Sequence, residues 1–190
     1  MKSLKFALAV AMALASTQAA AQEVGANPNS QQFVDAVKKS DGDKATQLLA
    51  DHPTIVDSRD LSGDTALIIA IKRSDPNWTG FLLNKGADPN FGGAGGDTPL
   101  IAAARVGFDE AVGWLIGLGA KVDGTNKMGE TALIIAVQQR NAALVKALLD
   151  AGADPDKADA AAGYSARDYA QRDNRSRQIL QLIADKKPKS

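Results

Sequence analysis

His52 is the single histidine of the 190 residues, and cysteine is absent. A thiol–imidazole pair is therefore excluded, and a serine–histidine–acid triad would have to use His52. That residue lies in Ala50-Asp51-His52-Pro53, a turn-like run where it is expected to face solvent. A histidine-rich metal site is excluded by the same count. Asp154, Asp156 and Asp159 have the spacing of a calcium loop but lack the glycine and closing glutamate that such a loop needs, so no metal is expected. Phe91-Gly92-Gly93-Ala94-Gly95-Gly96-Asp97-Thr98 is glycine-rich, yet it has no Gly-Lys-Ser/Thr ending, and Asp97 would repel phosphate. The run is expected to be a flexible tip, the most mobile of the chain and able to adapt to a partner. Asn77-Trp78-Thr79 is formally a glycosylation triplet, but it falls where a helix should begin. The 22 acidic residues leave a carboxylate-based hydrolytic site available by composition, although none sits in an apolar run that would mark a proton donor. The chain is expected to be non-enzymatic and to need no cofactor, with a carboxylate-based hydrolase as the alternative.

The N-terminus has the order of an export signal. Lys2 and Lys5 precede an apolar run, Phe6 to Ala15, and then Ala19-Ala20-Ala21, which predicts cleavage before Gln22. A run this short does not span ~30 Å of hydrocarbon as a helix. Without cysteine there is no lipid-anchored form, so the mature chain is expected to be exported, periplasmic or secreted, with no membrane insertion. Residues 1–21 carry two lysines and no acid, so 20 basic and 22 acidic residues remain, a net charge of −2. Nucleic-acid binding asks for a concentrated basic surface, which this balance does not supply. With no disulfides, packing alone must hold the domain together.

Residues 22–30 are polar and turn-rich and read as a linker. After them a period governs the chain. Gly63-Asp64-Thr65-Ala66-Leu67-Ile68-Ile69-Ala70 returns at Gly96, at Gly129 and, more loosely, at Gly163, in steps of 33, 33 and 34 residues. In phase with it run Leu82-Leu83, Leu115-Ile116, Leu148-Leu149 and Leu182-Ile183, each of the first three followed by a Gly-Ala pair at Gly86, Gly119 or Gly152. Thr65, Thr98 and Thr131 are helix-capping hydroxyls, and Pro99 suits a first helical position. Each unit is expected to hold a first helix of about nine residues, a turn, and a second helix stopped by glycine. An extended tip then leads to the next unit. Units this small cannot bury their apolar faces alone and must stack, giving an all-α helix–turn–helix solenoid with β-turn tips.

The phrases resemble the ankyrin repeat family from Asp57 to Asp156, with weaker units at both ends. Five units are counted, at 31–57, 58–90, 91–123, 124–156 and 157–185, within a domain of 31–186. Its end units are polar (Lys38, Lys39, Asp41 and Lys44; Arg172, Arg175, Arg177, Gln178 and Gln181), as caps require. Where the family most often has histidine, this chain has Ile68, Ile101 and Ile134, with Asp168 in the last unit. The isoleucines are expected to replace tip-to-tip hydrogen bonds by apolar packing. Trp78 and Trp114 fall on second helices and are expected to pack between units.

The resemblance implies a protein–protein interaction module whose tips and first-helix ends line a concave face. The matching positions include Leu61, Asp64, Lys72 and Arg73; Asp97 and Arg105; Lys127, Met128, Glu130, Gln138 and Gln139; Tyr164, Arg172 and Asp173. Leu61, Met128 and Tyr164 are the expected anchors, because burial rewards large or adaptable apolar groups. Lys72, Arg73 and Arg105 form a basic ridge facing Asp64, Asp97 and Glu130. The expected partner is another protein, taken up by a monomer in an accessory, protective or inhibitory role; a self-associating structural protein is a further alternative.

Overall fold

The computed structural model describes residues 28–173 and 175–186. The expected export signal and most of the expected linker lie outside them. Ten α-helices among the described residues form five antiparallel pairs. The pairs are α1 (Pro28–Lys39) with α2 (Gly42–Asp51), α3 (Ala66–Lys72) with α4 (Pro76–Asn84), and α5 (Pro99–Val106) with α6 (Asp109–Gly117). They continue with α7 (Ala132–Gln138) and α8 (Ala142–Asp150), then α9 (Ala166–Arg172) and α10 (Arg177–Ala184). The first helix begins at Pro28, three residues before the unit boundary read from the sequence.

The first helices of units two to four are seven or eight residues long rather than nine. Each starts on its threonine, whose hydroxyl accepts the N–H three residues on: Ile68, Ile101 and Ile134, at 3.2 Å. Each ends early because the chain turns at once through a left-handed residue, Ser74, Gly107 or Arg140. Asp75 and Asn141 then cap the second helices by accepting from Trp78 N–H and Leu144 N–H. Phe108 offers no such acceptor, and Asp109 and Glu110 in the first turn of α6 answer the helix dipole instead. The second helices stop where expected. Gly86, like its counterparts one and two periods on, has φ near +90°, and Ala87 N–H returns to Leu82 O at 3.0 Å.

The first helices α1, α3, α5, α7 and α9 pack in succession as an inner row, while α4 and α6 of the outer row scarcely touch. In α3, α5 and α7 almost every residue is buried, so these helices are apolar all round; the outer helices bury one face each. One continuous apolar core runs from Phe33 to Ile183. Ile68, Ile101 and Ile134 are fully buried along it, roughly 2 kcal/mol of transfer each.

The expected exchange of hydrogen bonds for packing is only half right. The isoleucines do pack, but the tips stay bonded through other groups. Ala94 N–H donates to Asp64 Oδ1, Lys127 N–H to Gly95 O, and Ala160 N–H to Met128 O. A second ladder ties the outer ends of the units, as Asp57, Asn90 and Asp123 accept from Asp88, Lys121 and Asp154 N–H. Burial beside the Asp88 carboxylate pushes the Asp57 carboxyl above its usual range. Among the described residues no helix is long and apolar enough to cross a membrane.

Candidate interaction face

Three of the tips share one local design. An Asx side chain opens the tip and accepts the backbone N–H groups that follow it. Asp60 Oδ1 takes Ser62 and Asp64 N–H; Asn126 Oδ1 takes Met128 and Glu130 N–H; Asp159 Oδ1 takes Ala162 and Gly163 N–H. An isolated antiparallel bridge closes each of these tips, Arg59 to Thr65, Thr125 to Thr131 and Ala158 to Ser165.

The glycine-rich tip has Gly93 at the Asx position and is built differently. It makes a short 3-10 turn at Ala94–Gly96 and is fastened on both sides, to Asp64 behind and to Lys127 ahead. A β-carbon on Gly93 would stand 2.5 Å from Asp64 Oδ1 and 2.7 Å from Ile68 Cδ1. Glycine is therefore needed for close approach. The tip expected to be free is tied.

The charges on the face follow from register. Lys39, Lys72, Arg105, Gln138 and Arg172 occupy one phase of the period, and Gln31, Asp64, Asp97, Glu130 and Tyr164 stand eight residues before each. In unit two the couple closes directly, Lys72 Nζ donating to Asp64 Oδ2 at 2.6 Å. In unit three Arg105 embraces Asp97 with two N–H groups, and one of them also reaches Glu130 Oε2 at 3.1 Å. Glu130 needs this cation because its own unit supplies only Gln138. Asn126 Nδ2 joins the same two carboxylates at 2.9 and 2.8 Å. The hydrogen bond to Asp97 raises the Arg105 guanidinium further above its already high ordinary value. In unit five the partner is Tyr164, and the Arg172 guanidinium lies 4.2 Å over its ring.

Arg73 departs from the ridge read from the sequence. It donates to Val37 O, Lys38 O and Ser40 Oγ, closing the C-terminal end of α1. Two further pairs cross between units, Lys38 with Asp60 at 2.8 Å and Arg140 with Asp173 at 2.5 Å. Burial alone would raise the Asp60 carboxyl, but hydrogen bonds from Lys38, Ser62 and Asp64 N–H outweigh it and hold it well below the usual carboxylate range. Arg140, with Ser176 and Arg175 N–H, holds Asp173 equally low.

The residues expected to meet a partner thus separate by depth. Asp64, Asp97 and Glu130 are turned inward with 11–15% of their side chains exposed, where they brace the face rather than present to a partner. Leu61 at 98% and Met128 at 49% exposure stand out on their tips. Tyr164 differs: it is half-buried, covered by Arg172 and edge-on to Tyr169 at 5.6 Å. Gln138 and Gln139 are exposed, and Gln139 Nε2 also donates to Arg105 O. Lys127 is exposed, and among the described residues its bond is the backbone one to Gly95 O.

Asn126, Asp60, Lys38 and Arg140 belong to the same network and were missed, while Asp173 was expected on the face but without its partner. Asn126 and Asp60 were detectable, since they stand three residues before the phrase glycines at one phase of the period. Lys38 reaches Asp60, and Arg140 reaches Asp173, only across units.

The remaining sequence candidates do not converge. Asp154 Oδ1 accepts Asp156 N–H, Asp156 pairs with Arg167, and Asp159 accepts from Tyr169 Oη at 2.6 Å. Among the described residues no group of three His, Cys, Asp or Glu side chains is placed to hold a metal ion. The carboxylates that do approach each other, Asp97 and Glu130, meet on Arg105 and Asn126 instead of beside an apolar cleft. His52 is exposed at the C-terminal end of α2. Trp114 is less enclosed than expected. It is 38% exposed, edge-on to Phe108, and forms the wall of an apolar groove with Gly80, Leu83 and Leu118. Trp78 is half-buried, edge-on to Phe81 at 5.3 Å.

No curated protein matches this sequence at a significant level. A family model described as ankyrin repeats (3 copies) matches residues 33–126, 81–159 and 103–188, overlapping windows that together run from α1 past the end of α10. Stacked helix pairs, threonine-capped inner helices, bonded tips and this match agree: the chain belongs to the ankyrin repeat family.

Proposed function

We propose that the face of tips and inner-helix ends docks a partner protein after export of the chain to the cell envelope, where the complex protects, assists or inhibits that partner. Ankyrin repeats are interaction modules, which supports the general class. The observation that carries the reading is Leu61, a large apolar side chain 98% exposed on a tip whose neighbouring charges are already matched. Met128, two units along the same face, gives a second apolar anchor. A standard interface of ~800 Å² per partner spans several such units. Export rests on the order of residues 1–21, and a mature N-terminus at Gln22 in protein recovered from the envelope is its test.

Docking is tested by photo-crosslinking in the native host. A benzophenone side chain is placed at Leu61, at Met128, or at Asn84 on the outer row. Adducts to one protein from positions 61 and 128, and none from 84, are expected. Adducts from 84 alone would move the interface to the opposite side and overturn the assignment.

A further inference from the structure

The interaction face is sorted by depth into two layers of opposite charge. Its acids Asp60, Asp64, Asp97 and Glu130 have 8–15% of their side chains exposed, while their cations Lys38, Lys72 and Arg105 have 40–43%. Arg73 and Arg140 stand out similarly, over Asp75 and Asp173.

Most of the carboxylate oxygens are engaged, and Glu130 takes both of its bonds on Oε2. Asp64 gives one to Ala94 N–H and one to Lys72; Asp97 gives both to Arg105, one of them shared with Asn126; Asp60 Oδ1 takes three hydrogen bonds and Oδ2 meets Lys38. The cations are not exhausted. An ammonium has three donors and a guanidinium five, and Lys72 Nζ uses one. Lys39 and Lys127, both exposed, have no carboxylate partner among the described residues. The exposed acids Asp43, Asp109 and Glu110 lie off this face, in the first turns of outer helices.

From this layering we infer that the partner presents an acidic segment, an extended run of Asp and Glu with apolar residues that seat at Leu61 and Met128. The inference rests on the docking reading above and names the chemistry of its ligand. A donor-rich, acceptor-poor surface gains from carboxylates, which satisfy its spare N–H groups without competing for those already bonded. Extended chain spans up to ~3.3 Å per residue and packed helices are ~8–10 Å apart, so about a dozen residues cross four units. Nucleic acid is a poorer fit, because the cations exceed the acids behind them only slightly, and Phe91, the large aromatic exposed at these tips among the described residues, is already covered by the Arg59 guanidinium at 4.2 Å.

The test is fluorescence anisotropy on the whole mature chain with three labelled probes: a peptide of about twelve residues alternating Glu-Leu-Asp, the same peptide with Lys for each acid, and a single-stranded RNA of equal charge. The acidic peptide is expected to bind, with affinity falling as salt rises. Lys39→Glu with Lys127→Glu should weaken it about tenfold. Lys44→Glu with Lys121→Glu, an equal charge change on exposed positions away from the face, should change it by about twofold or less. Lys72 and Arg105 are left intact because they brace the tips.

Equal weakening by both pairs, or equal or tighter binding of the lysine peptide or the RNA, would overturn the inference. If no acidic peptide binds while crosslinks from Leu61 and Met128 persist, the acidic ligand is wrong and the docking face stands. Crosslinks from Asn84 alone would instead remove the face itself.

Discussion

The inner row with its tips and the outer row of helices share one period, yet they use their exposed positions differently. On the inner side nearly every charge and tip N–H has a partner, often in the next unit: Lys38 with Asp60, Arg105 with Glu130, Arg140 with Asp173. On the outer side α4 and α6 leave an apolar groove lined by Gly80, Leu83, Gly113, Trp114, Gly117 and Leu118. One period on, α8 has Lys146 and Asp150 where α6 has Gly113 and Gly117, and the two form an ordinary i,i+4 surface pair at 2.5 Å. The difference teaches where cohesion in this stack comes from. Inner helices touch their neighbours throughout the stack, whereas the outer helices α4 and α6 scarcely touch and are joined mainly through the core beneath them.

The largest break should come from the tips. Gly129 holds φ at +77°, and a β-carbon there would collide with Ala160 N, the group that donates to Met128 O. Gly129→Ala combines a left-handed penalty of ~1–2 kcal/mol with the loss of an inter-unit bond worth ~1, so a loss of about 3 kcal/mol is expected in urea unfolding. A change below about 0.5 kcal/mol would mean that the tips do not join the units.

Smaller effects of opposite sign should come from the outer row. Thr79 is fully buried and its hydroxyl has no hydrogen-bond partner among the described residues, while the positions one and two periods on are Val112 and Val145. Thr79→Val should raise stability by about 1 kcal/mol. At Gly113 an added β-carbon meets nothing within 4 Å, and Gly113→Ala should add a further ~0.5–1 kcal/mol through helix propensity. Loss of stability in both would show the outer row to be as constrained as the inner.

The smallest effect lies in pH. Asp60 is held below its unfolded value near ~4, so its contribution is complete above that pH and is lost as pH falls toward the folded value. Melting temperature should therefore drop as pH goes from about 5 to 3. In Asp60→Asn that drop should be shallower, though not abolished, since Asp173 is held low as well. An identical pH profile for the variant would remove Lys38–Asp60 from the stabilising network.

Much of the fold was legible because its signals are local and repeated. Thr65 caps the helix that starts at Ala66, and Gly86 ends α4 just after Asn84, for reasons contained within a few residues. The tips and inner-helix ends were legible as positions, but the contacts of their side chains were not. Arg73 and Lys72 are neighbours in sequence and look alike, yet one closes the end of α1 and the other pairs with Asp64. The glycine-rich tip looked loose because Gly93 lacks an Asx side chain; its tethers come from Asp64 and Lys127 in the flanking units, beyond the reach of any local pattern.

The sequence by itself determined the period, the helix caps, the buried isoleucine row and the family, since each depends on residue type at fixed short spacing. Tertiary structure alone decided which charges face outward and which are consumed. A salt bridge such as Arg105 with Glu130 forms between units, and only the stacking of one helix pair on the next brings its two ends within 3.1 Å.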